Sequence, residues 1–174
     1  MDSIDFRILI ERIAKEAGRE YVLVIGAAAI VPWLARNSHS VLRRTRDIDV
    51  VLDVDEDVND RVAFILGEGS PFDEMYGIYA QPVSFETPTY APLHWVSRTL
   101  AFRSGGVTAL CMEPHDLAIS KYGAGRQKDL EFTRVLAREG HVQKETLRER
   151  LDLVECDDEM RARIRARIEA DFRR

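Results

Sequence analysis

The sequence is poor in the residues that build metal-bound or disulfide-bonded domains. It has two cysteines, Cys111 and Cys156, which lie far apart and form no Cys-x-x-Cys pair. Its four histidines have no mutual spacing typical of metal ligands. These absences predict a reduced, cytoplasmic protein without structural zinc.

Long apolar runs and an excess of positive charge are missing as well. No apolar run approaches the ~20 residues that a membrane span needs. Asp2, Asp5 and Glu11 interrupt the apolar residues at the N-terminus, which argues against a signal peptide. The net charge of −5 argues against broad, non-specific binding of nucleic acid, although it allows a local basic patch. We therefore expect a soluble protein with no membrane partner.

The length sets the number of domains. A chain of 174 residues, 45% of them hydrophobic, is long enough for one domain with a substantial core and a small helical addition. It contains no internal repeat and no low-complexity linker. We expect a core at residues 1–112 and a helical part at residues 113–174, packed together as one compact unit.

The pattern of apolar residues indicates helices and strands in the N-terminal half and helices alone after it. Helical periodicity and helix-capping residues predict helices at 4–17, 27–36, 55–66, 114–122, 126–138, 143–152 and 157–172. Apolar and β-branched runs predict strands at 21–25, 47–53, 98–102 and 107–112. Residues 72–96 contain prolines among aromatic residues and predict only short strands and loops. The order predicts an α/β (α+β) fold, in which helices flank a mixed sheet and a helical subdomain follows.

Two carboxylates, Asp47 and Asp49, stand at the start of the second predicted strand. Successive strand side chains point to opposite faces, so both carboxylates lie on one face, about 7 Å apart along the chain, while Ile48 and Val50 face the core. Carboxylates this close repel each other unless a cation lies between them. Mg²⁺ is the usual cation, because it prefers oxygen ligands and leaves positions open for phosphate. The alternative is an acidic pair that only contacts solvent.

Gly26 adds a second feature at the end of the first predicted strand. Because it has no side chain, it lets a phosphate approach the backbone closely. The short helix that follows would present free N–H groups to an anion. Phosphates at this helix and a metal ion on Asp47 and Asp49 would together suit a nucleoside triphosphate (NTP).

Two blocks of the sequence resemble a known superfamily. The first block pairs Val24-Ile25-Gly26-Ala27-Ala28 with Arg44-Thr45-Arg46-Asp47-Ile48-Asp49-Val50. The second pairs Glu113-Pro114-His115-Asp116-Leu117-Ala118-Ile119-Ser120-Lys121 with Arg126-Gln127-Lys128-Asp129-Leu130. In this order the blocks resemble the nucleotidyltransferase superfamily of the DNA polymerase β type. The second block is similar to a compact bacterial branch related to AbiEii-type toxins, and the resemblance covers about residues 20–152.

The resemblance implies the transfer of a nucleotide from an NTP to an unidentified acceptor (RNA, protein or a small molecule), with release of pyrophosphate. It implies dependence on Mg²⁺, with two ions when the NTP is bound, and by analogy a toxin–antitoxin type of system with a partner protein. The implied catalytic residues are Asp47, Asp49, Lys121 and Asp129, with Asp47 and Asp49 as metal ligands and Gly26 and Ala27 against the phosphates. On grounds of charge, we expect Arg44 and Arg126 to be further nucleotide contacts.

Departures from the superfamily pattern leave a second function open. Ala27 stands where Gly or Ser is typical. Many members also have a third carboxylate on a later strand. The predicted strands at 98–102 and 107–112 contain no such residue. Asp73 and Glu86 are the candidates, and neither belongs to a motif. The alternative function is therefore a catalytically inactive binding or regulatory protein with the same fold.

Arginines crowd the last predicted helix. They are Arg161, Arg163, Arg165, Arg167, Arg173 and Arg174. One interpretation is a solvated face balanced by neighbouring acidic residues. The other is a surface for RNA or DNA, which would suit a nucleic-acid acceptor.

Overall fold

Five strands form one mixed sheet in the computed structural model, which describes residues 1–35 and 37–173. The strands are β1 (Tyr21–Ile25), β2 (Asp47–Val51), β3 (Tyr79–Pro82), β4 (Leu100–Ser104) and β5 (Val107–Cys111). Their spatial order is β3-β2-β1-β5-β4. β1 is antiparallel to β2 and parallel to β5, β3 is parallel to β2, and β4 is antiparallel to β5. The predicted mixed sheet is confirmed.

Helices flank this sheet and make up the rest of the fold. They are α1 (Ser3–Ala17), α2 (Glu56–Leu66), α3 (Pro71–Tyr76), α4 (Pro114–Ala124), α5 (Gln127–Arg138), α6 (Lys144–Asp152) and α7 (Asp158–Asp171). Short 3-10 helices occupy Ala27–Trp33, Ser40–Arg43 and Trp95–Arg98. The predicted α/β (α+β) class is confirmed, with the all-helical segment where the sequence places it.

The sequence explains why β1 and β2 form the centre of the sheet. β1 is apolar throughout, and Val22 and Val24 are at most 1% exposed. In β2, Ile48 and Val50 are fully buried, whereas the alternate residues Asp47 and Asp49 stay partly exposed. This is the alternation expected of a strand with one face on the core, and it fixes the register of the carboxylates.

Four predicted elements differ in the structure. β4 begins and ends two residues later than the predicted strand 98–102, because Arg98 belongs to the 3-10 helix before it. Residues 27–33 form a 3-10 helix rather than an α-helix, and Pro32 inside it has no N–H for the α-helical hydrogen bond. β2 ends at Val51, two residues early. The stretch 72–96, predicted as short strands and loops, also includes α3, which Ser70 caps by accepting a hydrogen bond from the Asp73 N–H. Arg36, the predicted end of the second helix, and Arg174 lie outside the described residues.

The C-terminal helices pack on α4, which contacts α5, α6 and α7 as well as the 3-10 helix at 27–33. Buried side chains from both parts of the chain belong to one hydrophobic cluster that runs from α1 to α7. The division at residues 112 and 113 stays a prediction. Among the described residues, no helix has the length and apolar character that crossing a membrane requires.

Candidate active site

The junction between β1 and β2 brings Gly26 against Asp49. Ile25 pairs with Asp49 across the two strands, so Gly26 follows directly beside the carboxylate. Gly26 has φ 67° and ψ −167°, in the region that favours glycine. A Cβ atom added to Gly26 would also overlap the carboxylate of Asp49. Glycine is therefore required here for two independent reasons.

Asp49 faces a cavity, and its carboxylate has no partner among residues 1–35 and 37–173. The cavity has a volume of about 250 Å³ and includes Gly26 and Asp49 in its wall. No hydrogen bond or ion pair within the described residues reaches the Asp49 carboxylate. Burial, and secondly the charge of Asp47, raise the pKa of Asp49 to about 6, although the charges of Lys121, Lys128 and Arg126 oppose the shift. The folded protein thus holds a carboxylate that lacks a neutralising contact.

Asp47 lies on the same face of β2 but in a different setting. Thr45 donates a hydrogen bond from its hydroxyl to the Asp47 carboxylate. Tyr79 of β3 is paired with Asp47 across the strands, and burial together with the charge of Asp47 raises the pKa of Tyr79. Asp47 does not belong to the wall of the cavity, so the two carboxylates open onto adjoining regions of the surface.

α4 supplies the wall of the cavity that faces Asp49. Leu117, Ser120, Lys121 and Ala124 follow one another at helical spacing and all line it. Met112, Arg126 and the segment 87–90 complete this side. Gly26, Asp49, Lys121 and Arg126 thus line one cavity, while their catalytic and nucleotide-binding roles stay predictions.

Asp129 holds the two cations of this site together. The Lys121 Nζ lies 3.2 Å from Asp129 Oδ1, and the Arg126 Nε lies 2.6 Å from Asp129 Oδ2. The Asp129 side chain is 1% exposed. Burial would raise the pKa of Asp129, but the hydrogen bond from Arg126 and the charge of Lys121 hold it below its ordinary value. Burial lowers the pKa of Lys121, against the pull of Asp129. Asp129 therefore orients Lys121 and Arg126, while it does not itself line the cavity.

A loop at residues 83–94 contributes its segment 87–90 to the wall of the cavity. Gly123 of α4 makes room for it, because a Cβ atom there would collide with the ring of Tyr90. The loop is also fixed at Leu93, whose N–H donates to the carbonyl of Leu153 over 2.9 Å. Sequence reasoning missed this wall. The sequence predicted that the helix of Lys121 ends before Gly123, whereas in the structure Gly123 lies inside α4.

Two of the predicted nucleotide contacts lie elsewhere. Arg44 pairs with Glu131 of α5 at 3.2 Å and is mostly exposed. Ala27 begins the 3-10 helix next to Gly26. Neither residue lines the cavity, so a role for them would require a ligand that extends beyond it.

The search for a third carboxylate leads to β3, the strand beside β2. Its residue opposite Asp49 is Gln81, an exposed amide on the same face. Asp73 is occupied elsewhere, 2.6 Å from Arg46, and Glu86 is exposed and outside the cavity wall. Within residues 1–35 and 37–173, no group of three or more His, Cys, Asp or Glu residues is placed to hold a metal ion.

A comparison with protein families gives a match over residues 5–171 to the family DUF6036, described as a nucleotidyltransferase of unknown function. The match spans nearly the whole chain. The chain belongs to this family. Comparison with curated proteins and with solved structures gave no match. The predicted membership of the nucleotidyltransferase superfamily is supported, while the relation to AbiEii-type toxins stays a prediction.

For a member of a nucleotidyltransferase family, the donor set of this site fits Mg²⁺. Asp47 and Asp49 offer oxygen ligands on one face, and the described part of the chain contains no partner of the Asp49 carboxylate that a metal would have to displace. Mg²⁺ is commonly held in proteins by one or two carboxylates, with substrate phosphates and water completing the shell. Lys121 and Arg126 lie in the same cavity and suit the charge of those phosphates.

The arginines of α7 are largely engaged within the protein. Arg161 donates to the carbonyls of Leu151 and Val154, and Arg167 donates to the carbonyl of Tyr122. Arg163 pairs with Glu159 at 2.6 Å. These contacts favour a structural role for this part of the helix. Arg174, which was included in the predicted basic face, lies outside the described residues.

Proposed function

We propose that this protein is a Mg²⁺-dependent nucleotidyltransferase that moves a nucleotide from an NTP to an acceptor hydroxyl. The observation that carries the proposal is the unpartnered carboxylate of Asp49, which lies against Gly26 and shares one cavity with Lys121 and Arg126. Membership of a family described as nucleotidyltransferases supports it. The acceptor is RNA, protein or a small molecule, and a partner protein in a toxin–antitoxin type of system remains part of the hypothesis by analogy alone.

Each residue has a distinct role in this proposal. Asp47 and Asp49 would hold Mg²⁺, with two ions expected once the NTP is bound. Bound Mg²⁺ supplies Lewis-acid stabilisation of the attacking hydroxyl and of the leaving pyrophosphate. Lys121 and Arg126 neutralise charge on the triphosphate, which is most valuable when charge builds up during transfer.

Asp129 acts through other side chains. It fixes the direction of the Lys121 ammonium and the Arg126 guanidinium, both within hydrogen-bonding distance of it. Preorganised charges stabilise a transition state better than mobile ones, because they need not reorient during the reaction. The loop segment 87–90 covers the cavity and would limit the access of water to the reacting phosphate.

A second function has one specific observation in its favour. Gln81 occupies the position beside Asp49 on the neighbouring strand, where a third carboxylate would have joined the two aspartates. An amide carries no charge and binds Mg²⁺ more weakly than a carboxylate does. The alternative is therefore a protein that binds an NTP at this site and has lost the ability to transfer a nucleotide.

The test is incubation with each labelled NTP and Mg²⁺, together with total RNA, cell protein or small metabolites as acceptors. Transfer that disappears in Asp47→Ala and Asp49→Ala, but persists in Asp53→Ala, would support the enzyme. Asp53 is a suitable control, because it is an exposed acid just past the end of β2.

Calorimetry with each NTP and Mg²⁺ separates the remaining outcomes. Binding without transfer, combined with transfer gained by Gln81→Glu, would support the inactive binding protein. The absence of both binding and transfer in the wild type would contradict both functions.

A further inference from the structure

The most exposed large apolar side chains of the described residues lie on one face, away from the active-site cavity. Phe64 is 84% exposed and Met75 is 75% exposed. Together with Ile8 and Tyr76 they line a groove of about 720 Å³ between α1, α2 and α3. None of the residues in its wall lines the cavity that contains Asp49. Exposed apolar patches of this kind are typical of protein interfaces.

α1 presents a stripe to this groove that begins apolar and becomes basic. Ile8, Arg12 and Lys15 follow at i, i+4 and i+7 and all line it. Arg12 has only a loose contact with Glu16, with 3.6 Å between Nε and Oε1. Glu11 also lies on this stripe, but its carboxylate accepts a hydrogen bond from Ser104 of β4. The exposed charge of the stripe is therefore positive.

α2 has acidic residues at the same distances from an apolar residue as the basic residues of α1 have from Ile8. Phe64, Asp60 and Asp57 lie at i, i−4 and i−7 along one ridge, and all three are exposed. Arg61 is near this ridge, but its guanidinium donates to the carbonyl of Glu16 in α1. The ridge thus has an apolar residue at one end and two carboxylates further along.

The two stripes match when α2 of one molecule lies antiparallel to α1 of another. Phe64 then meets Ile8, Asp60 meets Arg12 one turn away, and Asp57 meets Lys15 two turns away. At a rise of 1.5 Å per residue, the second and third contacts lie about 6 Å and about 10.5 Å from the first on both helices. Apolar and charged contacts therefore coincide in a single register.

We propose that the groove between α1, α2 and α3 binds a second copy of this chain, with α2 of each copy packed antiparallel on α1 of the other. A twofold axis requires a self-complementary surface, which the matched stripes provide, because each copy offers both members of every contact. Burial of Phe64 and Met75 would supply the apolar centre of the interface, and the charged pairs would fix its register.

The arrangement within one copy is compatible with this symmetry. Arg61 bonds near the end of α1, whereas Phe64 and Ile65 line the groove with Ile8, so α1 and α2 run in opposite directions. If the twofold axis runs parallel to the helices, α1 and α2 of both copies form a group of four helices. Each helix in this group is antiparallel to both of its neighbours. Such a contact closes on itself and does not continue into a filament.

Sedimentation velocity over a wide range of protein concentration tests the proposal. The wild type is expected to form a dimer that dissociates on dilution, and Phe64→Asp is expected to be monomeric. Tyr21→Asp is the matched control, because Tyr21 is 57% exposed but lies outside both the groove and the active-site cavity. It should leave the dimer intact. Circular dichroism checks that both variants are folded.

An exchange of charges tests the register without any change to the apolar centre. Variant A carries Arg12→Glu and Lys15→Glu, and variant B carries Asp57→Lys and Asp60→Lys. Each alone brings like charges together and should be monomeric, whereas a mixture of A and B restores opposite charges at both contacts and should form a heterodimer.

A wild type that stays monomeric at every concentration, or a dimer that Phe64→Asp leaves unchanged, would overturn the proposal. A mixture of A and B that stays monomeric would overturn the register. If the monomeric wild type instead bound a different protein through Phe64, the second copy would be excluded as the occupant. None of these substitutions alters a residue of the proposed active site, so failure here would leave the nucleotidyltransferase proposal untouched.

Discussion

At the scale of single residues, the fold disfavours the charge of the Asp49 carboxylate, because burial and the charge of Asp47 raise its pKa. It is next to Gly26, repelled by Asp47 and free of any direct partner within the described residues. A carboxylate in this position gains little for the fold and is ready to bind a cation. Unfavourable charge of this kind is typical of functional sites. The role of Asp49 can therefore be tested by measuring stability after its charge is removed.

We predict that Asp49→Asn leaves the stability of the metal-free protein unchanged or raises it by up to about 1 kcal/mol, because it removes a repulsion. The same change should abolish the rise in melting temperature that Mg²⁺ and NTP produce, since a ligand stabilises only the state that binds it. Thermal melts with and without the ligands measure both effects. Asp53→Asn is the control. A lower melting temperature without ligand, together with an intact ligand shift, would argue for a structural aspartate.

Lys121 gives the second prediction at this scale. Its side chain is 13% exposed, and its ammonium pairs with Asp129. When the lysine is removed, Asp129 still pairs with Arg126. Lys121→Met should lower turnover by on the order of 10²-fold, as loss of one preorganised charge typically does. The control is Lys144→Met, because Lys144 also pairs with a carboxylate, 2.6 Å from Glu169, but lies outside the cavity. Equal turnover in both variants would show that Lys121 has no part in transfer.

At the scale of elements, the end of β1 decides whether β2 can present its carboxylates. Gly26 combines a positive φ with direct contact to Asp49, so the strand pair and the site depend on the same residue. Gly77 also has a positive φ, of 68°, but no atom lies within 4 Å of the position where its Cβ would be. The two glycines therefore separate backbone strain from contact with the site.

We predict that Gly26→Ala destabilises the protein by about 2–4 kcal/mol, from backbone strain plus the displacement of Asp49. Gly77→Ala should cost only the strain, about 1 kcal/mol. Urea denaturation measures both changes. Gly26→Ala should also weaken the stabilisation by Mg²⁺ and NTP, whereas Gly77→Ala should not. Similar losses in the two variants would mean that the space beside Asp49 does not require a glycine.

The elements also show which patterns in the sequence carry information. β1, β2, α1, α2 and the four C-terminal helices follow from apolar runs, from periodicity and from capping residues, because these patterns mark where each element starts or stops. Residues 72–96 lack such a pattern, so α3 and the register of β3 could not be predicted. As a result Gln81, which stands beside Asp49, did not emerge as a candidate from the sequence.

At the scale of the whole molecule, the raised pKa of Asp49 links stability to pH. Its ordinary value is 3.8 and its value in the fold is about 6. Between these values the folded protein binds a proton that the unfolded chain releases, so the contribution of Asp49 to stability falls as pH rises from about 4 to about 6. Above about 6 the ionised group contributes a constant penalty in the absence of metal.

We predict that the unfolding free energy of the wild type falls relative to that of Asp49→Asn, by on the order of 1–2 kcal/mol, as pH rises across this range. Urea denaturation without metal, at intervals from about pH 4 to about pH 7, measures it. Stabilisation of the wild type by Mg²⁺ and NTP should grow over the same range, because the proton competes with the metal for the carboxylate. A difference that does not depend on pH would mean that Asp49 ionises normally in the fold.

The sequence by itself determined the strands β1 and β2, the face that carries Asp47 and Asp49, and the end of β1 at Gly26. These features depend on neighbours along the chain, on the two-residue period of a strand and on local backbone geometry. Only the tertiary structure decided that α4 lies across the cavity from β2. It likewise decided that Asp129 orients Lys121 and Arg126, that Arg44 is bound to Glu131, and that Gln81 borders the site. The contacts of Arg44 with Glu131 and of Gln81 with Asp49 join residues tens of positions apart. The contacts of Asp129 are shorter in sequence, but they depend on how α4 and α5 pack together. No short stretch of sequence encodes such packing.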